Sequence, residues 1–215
     1  MSSYTLRYFN VPGFSESIRL MFLASKSEWT EEHPEWPQEK PNQPFGRLPV
    51  LVEKHADGSP DFVLCESGTI ERYLARKLGF FPSDPKKAAL QEQLRDQLSD
   101  ITSLFIQIMM LGANDTAKGK IEELFAKLKE VMPEALLANG SSISAENSEL
   151  TYIDFCVYSF FKVMMPHCIE KIPEYLDSFK ALWSPEVIKI VSSIHADPRL
   201  QSRVAEDKKI FTFLA

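Results

Sequence analysis

Glu66 and Ser67 are the neighbouring residues whose types most plainly invite chemistry. An apolar run, Phe62-Val63-Leu64-Cys65, leads into them, and Ile70, Leu74 and Leu78 follow at helical spacing, so the chain passes from strand to helix at Ser67. Ser67 is a good N-cap and Gly79 a good residue to end the helix. The first amides of a helix have no internal partner and carry a partial positive charge, which suits a carboxylate. Glu66 adds the opposite charge immediately before them. A ligand with an ammonium and a carboxylate on one carbon, the head group of an α-amino acid, would be held at both. The plainer reading is that Ser67 only caps its helix and Glu66 is a solvated strand end.

The elements that must position this pair begin with a predicted β-hairpin. Phe45 to Val52 and Phe62 to Cys65 are short β-rich runs separated by a turn containing Asp57-Gly58. Pro49 cannot donate to a ladder and so belongs at an edge or an irregular strand entry. A cis Leu48-Pro49 bond would turn the chain sharply and present its backbone to a ligand; sequence leaves the isomer open. Upstream, Tyr4–Phe9 reads as a first strand, and Ser15 to about Ser27 as a helix with Ile18, Met21 and Phe22 on one face. Trp29–His33 reads as a second strand, parallel to the first because a crossover helix joins them. Residues 34–44 contain four prolines, which deny them regular structure. The order β-α-β, irregular segment, β-β-α is complete by Gly79.

Residues 1–80 thus form one predicted domain, 81–85 a linker, and 86–215 a helical domain. Asp84 and Pro85 start a long helix from Ala88 to Met110 that Gly112-Ala113-Asn114-Asp115 ends. A second helix runs from about Thr116 to Ala138 and stops at Asn139-Gly140, and Ser141–Glu149 is a loop. Thr151 and Asp154 have the spacing of a capping box, with Leu150 and Phe155 placed as a hydrophobic staple, so Asp154 reads as structural. Pro166 and Pro173 punctuate the end of that helix, Pro185 starts another, and the last runs from Arg199 to about Glu206. No strand pattern appears after Leu64.

Composition excludes several function classes. Among 215 residues, 24 lysines and arginines stand against 30 acidic residues, a net charge of −6, and no basic block suggests a nucleic-acid partner. No apolar run approaches bilayer length and the first residues do not read as a signal peptide, so a cytoplasmic, non-membrane protein is expected. Cys65, Cys156 and Cys168 read as buried free thiols. The four scattered histidines form no ligand pattern, and no metal is expected.

Together these features resemble the cytosolic glutathione transferases. The likeness rests on Tyr8-Phe9 with Gly13 after the first strand, Trp36 and Lys40 in the proline-rich segment, Phe45-Gly46-Arg47-Leu48-Pro49, Glu66-Ser67, and Leu150-Thr151-Tyr152-Ile153-Asp154-Phe155. It is closest to the tyrosine-using classes, most like sigma with pi next. The resemblance implies a thioredoxin-like N-terminal domain that binds glutathione as co-substrate, an all-helical C-terminal domain that shapes the pocket for a hydrophobic electrophile, and a homodimer. It makes Tyr8 the catalytic hydroxyl, and has Trp36 and Lys40 hold the glycine carboxylate. Leu48, ahead of Pro49, would pair its backbone with the cysteinyl part, Glu66 and Ser67 would take the γ-glutamyl head group, and Arg47 would lie near the tripeptide. Asp100 would reach that head group from the partner subunit, and Phe45 would pack against the partner.

The implied mechanism is stabilisation of the glutathione thiolate by a neutral Tyr8 phenol. Two residues depart from the family pattern. Phe14 stands where tyrosine enzymes commonly carry an arginine near the sulfur, and Met110 stands where several place an aromatic. Phe14, Phe105 and Met110 would then line an apolar, adaptable pocket. Other readings in play are a non-catalytic carrier of glutathione or hydrophobic ligands and a glutathione-dependent isomerase or peroxidase. A thiol-disulfide enzyme would need a cysteine at the start of the first helix, and Pro12-Gly13-Phe14-Ser15 has none.

Overall fold

The computed structural model describes residues 3–111, 115–138, 141–142 and 150–207. The chain divides into two compact units, Met1–Phe81 and Pro82–Ala215. In the first, β1 (Ser3–Arg7), α1 (Glu16–Ser25) and β2 (Trp29–Glu32) make a parallel β-α-β unit. A hairpin of β3 (Val50–Lys54) and β4 (Phe62–Cys65) pairs antiparallel with β1, giving the strand order β2-β1-β3-β4, and α2 (Ser67–Leu78) follows. This is a thioredoxin-like arrangement. Its core forms because alternate strand residues and one face of each helix are apolar: Leu6, Leu51, Ile18, Phe22, Ile70 and Leu74 are fully buried. At the hairpin turn Asp57 Oδ1 accepts the Ser59 amide at 3.0 Å and Gly58 takes φ +77°, as a tight Asp-Gly turn requires.

Several boundaries shift for identifiable reasons. β1 ends at Arg7, which pairs with Val50, because the next residue on the partner strand is Pro49 and has no N–H to extend the ladder. A short 3-10 turn, Gly13–Ser15, precedes α1. The proline-rich segment does contain local order, two 3-10 turns at Lys40–Asn42 and Pro44–Gly46, each with a proline in its first positions. Trp36-Pro37 and Leu48-Pro49 are both cis. Ser67 is the first helical residue of α2 and not its cap. Glu66 holds the cap position with φ +69°, and Gly79 ends the helix in the left-handed conformation.

Among the described residues of the second unit, the regular structure is helical apart from one two-residue strand pair. α3 (Pro85–Leu111) is capped by Asp84, whose Oδ1 accepts the Lys87 amide at 2.8 Å, and α4 (Asp115–Leu136) follows. β5 (Leu137–Ala138) then pairs with β6 (Ser141–Ser142), where the periodicity predicts no strand; an element this short has no pattern to read. The stop signals at 112–114 and 139–140, and residues 143–149 of the predicted loop, lie outside the described residues. α5 (Tyr152–Tyr158) starts at Thr151, whose amide and hydroxyl both donate to Asp154, at 2.7 and 2.8 Å. The chain then widens into a π-helical turn, Ser159–Met164, before α6 (Met165–Lys171). Pro166 opens α6 instead of ending a helix: it has no N–H for the preceding turn, and the wide turn lies just upstream of it. α7 (Leu176–Lys180), α8 (Pro185–Ala196, capped by Ser184) and α9 (Gln201–Asp207) complete the unit. Among the described residues no helix is long and apolar enough to cross a membrane, and no three His, Cys, Asp or Glu converge as metal ligands.

Candidate active site

The end of β1 delivers Tyr8 into a buried position, 5% exposed. Its backbone is held from β2 on both sides: the Tyr8 amide donates to the Glu32 carbonyl at 3.0 Å, and His33 Nδ1 lies 3.0 Å from the Tyr8 carbonyl. The side chain turns under the loop before α1, where the Phe14 amide donates to the phenol oxygen at 3.0 Å. Gly13 makes that approach possible. It takes φ +49°, and a β-carbon there would stand 2.4 Å from Tyr8 Oη, so a glycine is needed both for conformation and for space.

This geometry decides what Tyr8 can do. With the oxygen already accepting from Phe14, the hydroxyl proton is free to be donated elsewhere. Burial pushes the phenol pKa above its ordinary value, opposed by the Phe14 amide and the Arg19 guanidinium. The group therefore stays protonated at neutral pH and can donate to an anion.

The remaining predicted residues of the first unit flank the sheet ends. Trp36 packs edge-on against Phe9, centroids 5.4 Å apart, and Phe9 packs against Tyr8 at the same distance, so one aromatic row joins the end of β1 to the proline-rich segment. Lys40 is exposed, and its chain runs alongside Gly46, where a β-carbon would be in ordinary contact with it at 3.5 Å. Arg47 is exposed, and Leu48 packs against Val50, Val52 and Cys65. Because Val50 pairs with Cys65, the buried Pro49 and the exposed Glu66 lie just beyond the paired ends of the hairpin strands, next to Ser67. Phe14 is half-buried, and Phe45 is 82% exposed at φ +52°.

In the second unit Asp100 is exposed on α3 and borders a cavity of about 410 Å³ with Ser103, Gln107 and Lys120. Met110 is 79% exposed. Phe105 presents no surface: its ring stacks on Phe125 and meets Tyr175 edge-on, both at 5.4 Å, so it packs the interior of its own unit and does not form a pocket wall. Periodicity cannot separate these cases, since a core face and a pocket face of one helix are both apolar.

Sequence reasoning passed over Arg19 and His33. Arg19 had a legible signal, a charged residue inside the apolar run Ile18 to Phe22 of α1, where an unpaired guanidinium would be untenable. His33 had none, because a ring nitrogen bonding a backbone carbonyl 25 residues away leaves no spacing to detect.

Residues 4–76 match the family model described as "Glutathione S-transferase, N-terminal domain". A protein of Capra hircus named Glutathione S-transferase P is 26% identical, over 98% of this chain and 95% of its own length. Hematopoietic prostaglandin D synthase of Gallus gallus is 29% identical over 67% of this chain and 74% of its own length. Among solved structures, NaGST1 superposes with a TM-score of 0.72 at 26% identity, covering 95% of this chain and 97% of that one.

Proposed function

We propose that this chain, whose residues 4–76 match the N-terminal domain model of the glutathione S-transferases, is a glutathione transferase whose Tyr8 hydroxyl stabilises the glutathione thiolate for attack on hydrophobic electrophiles. The carrying observation is the Tyr8 phenol: buried, kept protonated, and with its oxygen accepting from the Phe14 amide so that its proton is available to another acceptor. A free thiol with a pKa of about 8.5 is only a few per cent ionised at neutral pH, and each unit of depression corresponds to about 1.4 kcal/mol of differential stabilisation.

The same reading gives the other residues their parts. Trp36 and Lys40 take the glycine carboxylate, the Leu48 backbone ahead of Pro49 takes the cysteinyl part, and Glu66 with Ser67 takes the zwitterionic head group, with Arg47 nearby. The placement of Pro49, Glu66 and Ser67 at one end of the hairpin supports this grouping. The protein works as a homodimer, in which Asp100 reaches the partner's head-group site and Phe45 packs against the partner. An aromatic ring held 82% exposed in a left-handed backbone conformation supports a role outside its own unit. Phe14, in the loop that holds Tyr8, contacts the co-substrate.

Tyr8→Phe keeps the ring and removes the donor. Turnover of glutathione with chlorodinitrobenzene should fall at least about tenfold, in the range of a lost hydrogen-bond donor to a charged group. Undiminished turnover rejects Tyr8 as the activating group. A protein retained on immobilised glutathione but inert toward electrophiles is a carrier. The similarity to a prostaglandin synthase favours a second reading on the same thiolate, glutathione-dependent isomerisation, which an endoperoxide substrate tests directly.

A further inference from the structure

We propose that Arg19 is a positioning residue for Tyr8, its guanidinium fork fixing the loop whose amide holds the phenol oxygen. The inference rests on the reading of Tyr8 above. Arg19 is 4% exposed and fully engaged. One nitrogen, Nη1, donates to the carbonyls of Val11 at 3.0 Å and Pro12 at 2.7 Å, and lies 3.3 Å from Glu16 Oε2. Nε donates to Glu31 Oε1 at 2.9 Å, and Nη2 bonds the same oxygen. Thus a single planar group ties β2, the first turn of α1 and the two residues before Gly13-Phe14 into one body.

Those two residues are where the tie matters. Val11 and Pro12 lead directly into Gly13, which must stay clear of the Tyr8 ring, and Phe14, whose amide must stay 3.0 Å from Tyr8 Oη. The phenylalanine side chain at 14 offers no donor, so the donor beside the phenol is this backbone amide and its position depends on the loop. The guanidinium carbon also lies 5.8 Å from the Tyr8 ring centroid, where its charge favours electron density on the phenol oxygen. The charged groups facing Arg19 are Glu16 from α1 and Glu31 from β2, and the titratable group nearest Tyr8 from the end of β2 is His33.

A lysine at 19 keeps the charge but cannot present parallel donors to two carbonyls and a carboxylate at once. The test is an ultraviolet titration of the thiolate in the glutathione complex, together with kcat and KM for glutathione against pH, for wild type, Tyr8→Phe, Arg19→Lys and Arg19→Met. Both Arg19 variants should raise the apparent thiol pKa by about half to one unit and lower kcat about tenfold, with KM for glutathione changing by less than about threefold. Glu31→Gln, which leaves Arg19 in place but weakens its anchor, should shift the titration in the same direction and serves if the Arg19 variants do not fold. An Arg19→Lys protein with a wild-type titration overturns the proposal, because charge without the fork would then suffice. If Tyr8→Phe moves the titration and neither the Arg19 variants nor Glu31→Gln do, only this inference fails. If Tyr8→Phe leaves the titration unmoved, the reading beneath it fails as well.

Discussion

Gly13→Ala is the most exacting probe of how Tyr8 is placed. A β-carbon at 13 would lie 2.4 Å from Tyr8 Oη and 2.7 and 2.9 Å from two ring carbons, where ordinary contact begins at 3.4 Å. Relief requires about 1 Å of movement, the difference 3.4 − 2.4. The Tyr8 ring is walled in by burial and by Phe9, so the shift falls on the loop or on the phenol itself, and in either case the Phe14 amide leaves Tyr8 Oη. A misplacement of about 1 Å at a reacting centre costs roughly a hundredfold in rate, or about 2.7 kcal/mol of barrier. The left-handed backbone at φ +49° adds about 1–2 kcal/mol against folding for a residue with a β-carbon. Gly13→Ala should therefore lose about a hundredfold in kcat/KM with chlorodinitrobenzene and about 2–8 °C in midpoint temperature. Placed on top of Tyr8→Phe, the same substitution should cost less than about threefold more, because both changes act on one group. A Gly13→Ala enzyme within threefold of wild type, or a fully additive double variant, refutes the geometry.

Two further predictions address the second unit. Burial alone pushes the Cys168 thiol up to about 12, so in the folded protein it should resist an aromatic disulfide reagent up to about pH 9 and react fully once denatured. Because this pKa is raised, the stability linked to Cys168 is complete below its ordinary value near 9 and is lost as the pH climbs toward 12. Asp154 is fully buried and accepts from the Thr151 amide and hydroxyl, so Asp154→Ala removes one half of the capping box of α5 and takes the acceptor from the partly buried Thr151 amide. A loss of about 2–3 kcal/mol is expected, read as a fall of about 5–10 °C in the helical circular dichroism transition, while Asp154→Asn should recover part of it.

Much of the frame was legible because its signals are local. A period of two with Asp57-Gly58 specifies the hairpin, a crossover helix makes β1 and β2 parallel, and the Thr151–Asp154 spacing encodes its own cap. The junction at 66–67 was found for the same reason. Its cap lies one residue earlier than the sequence predicts, since serine is the better capping type and the φ of +69° at Glu66 comes from the turn out of β4, not from any preference of glutamate.

What tertiary structure alone decided is everything that depends on distant parts of the chain meeting. Tyr8 becomes a poised, protonated donor only because Phe14 reaches its oxygen, His33 lies at its carbonyl and Arg19, anchored on Glu31 of β2, braces the loop between β1 and α1. Phe105 is a core ring instead of a pocket wall because Phe125 and Tyr175 close over it. Residue type and spacing state which groups are available and which local conformations they favour. Which of them touch is set by packing energies summed over contacts far apart in sequence, which no single stretch of the chain contains.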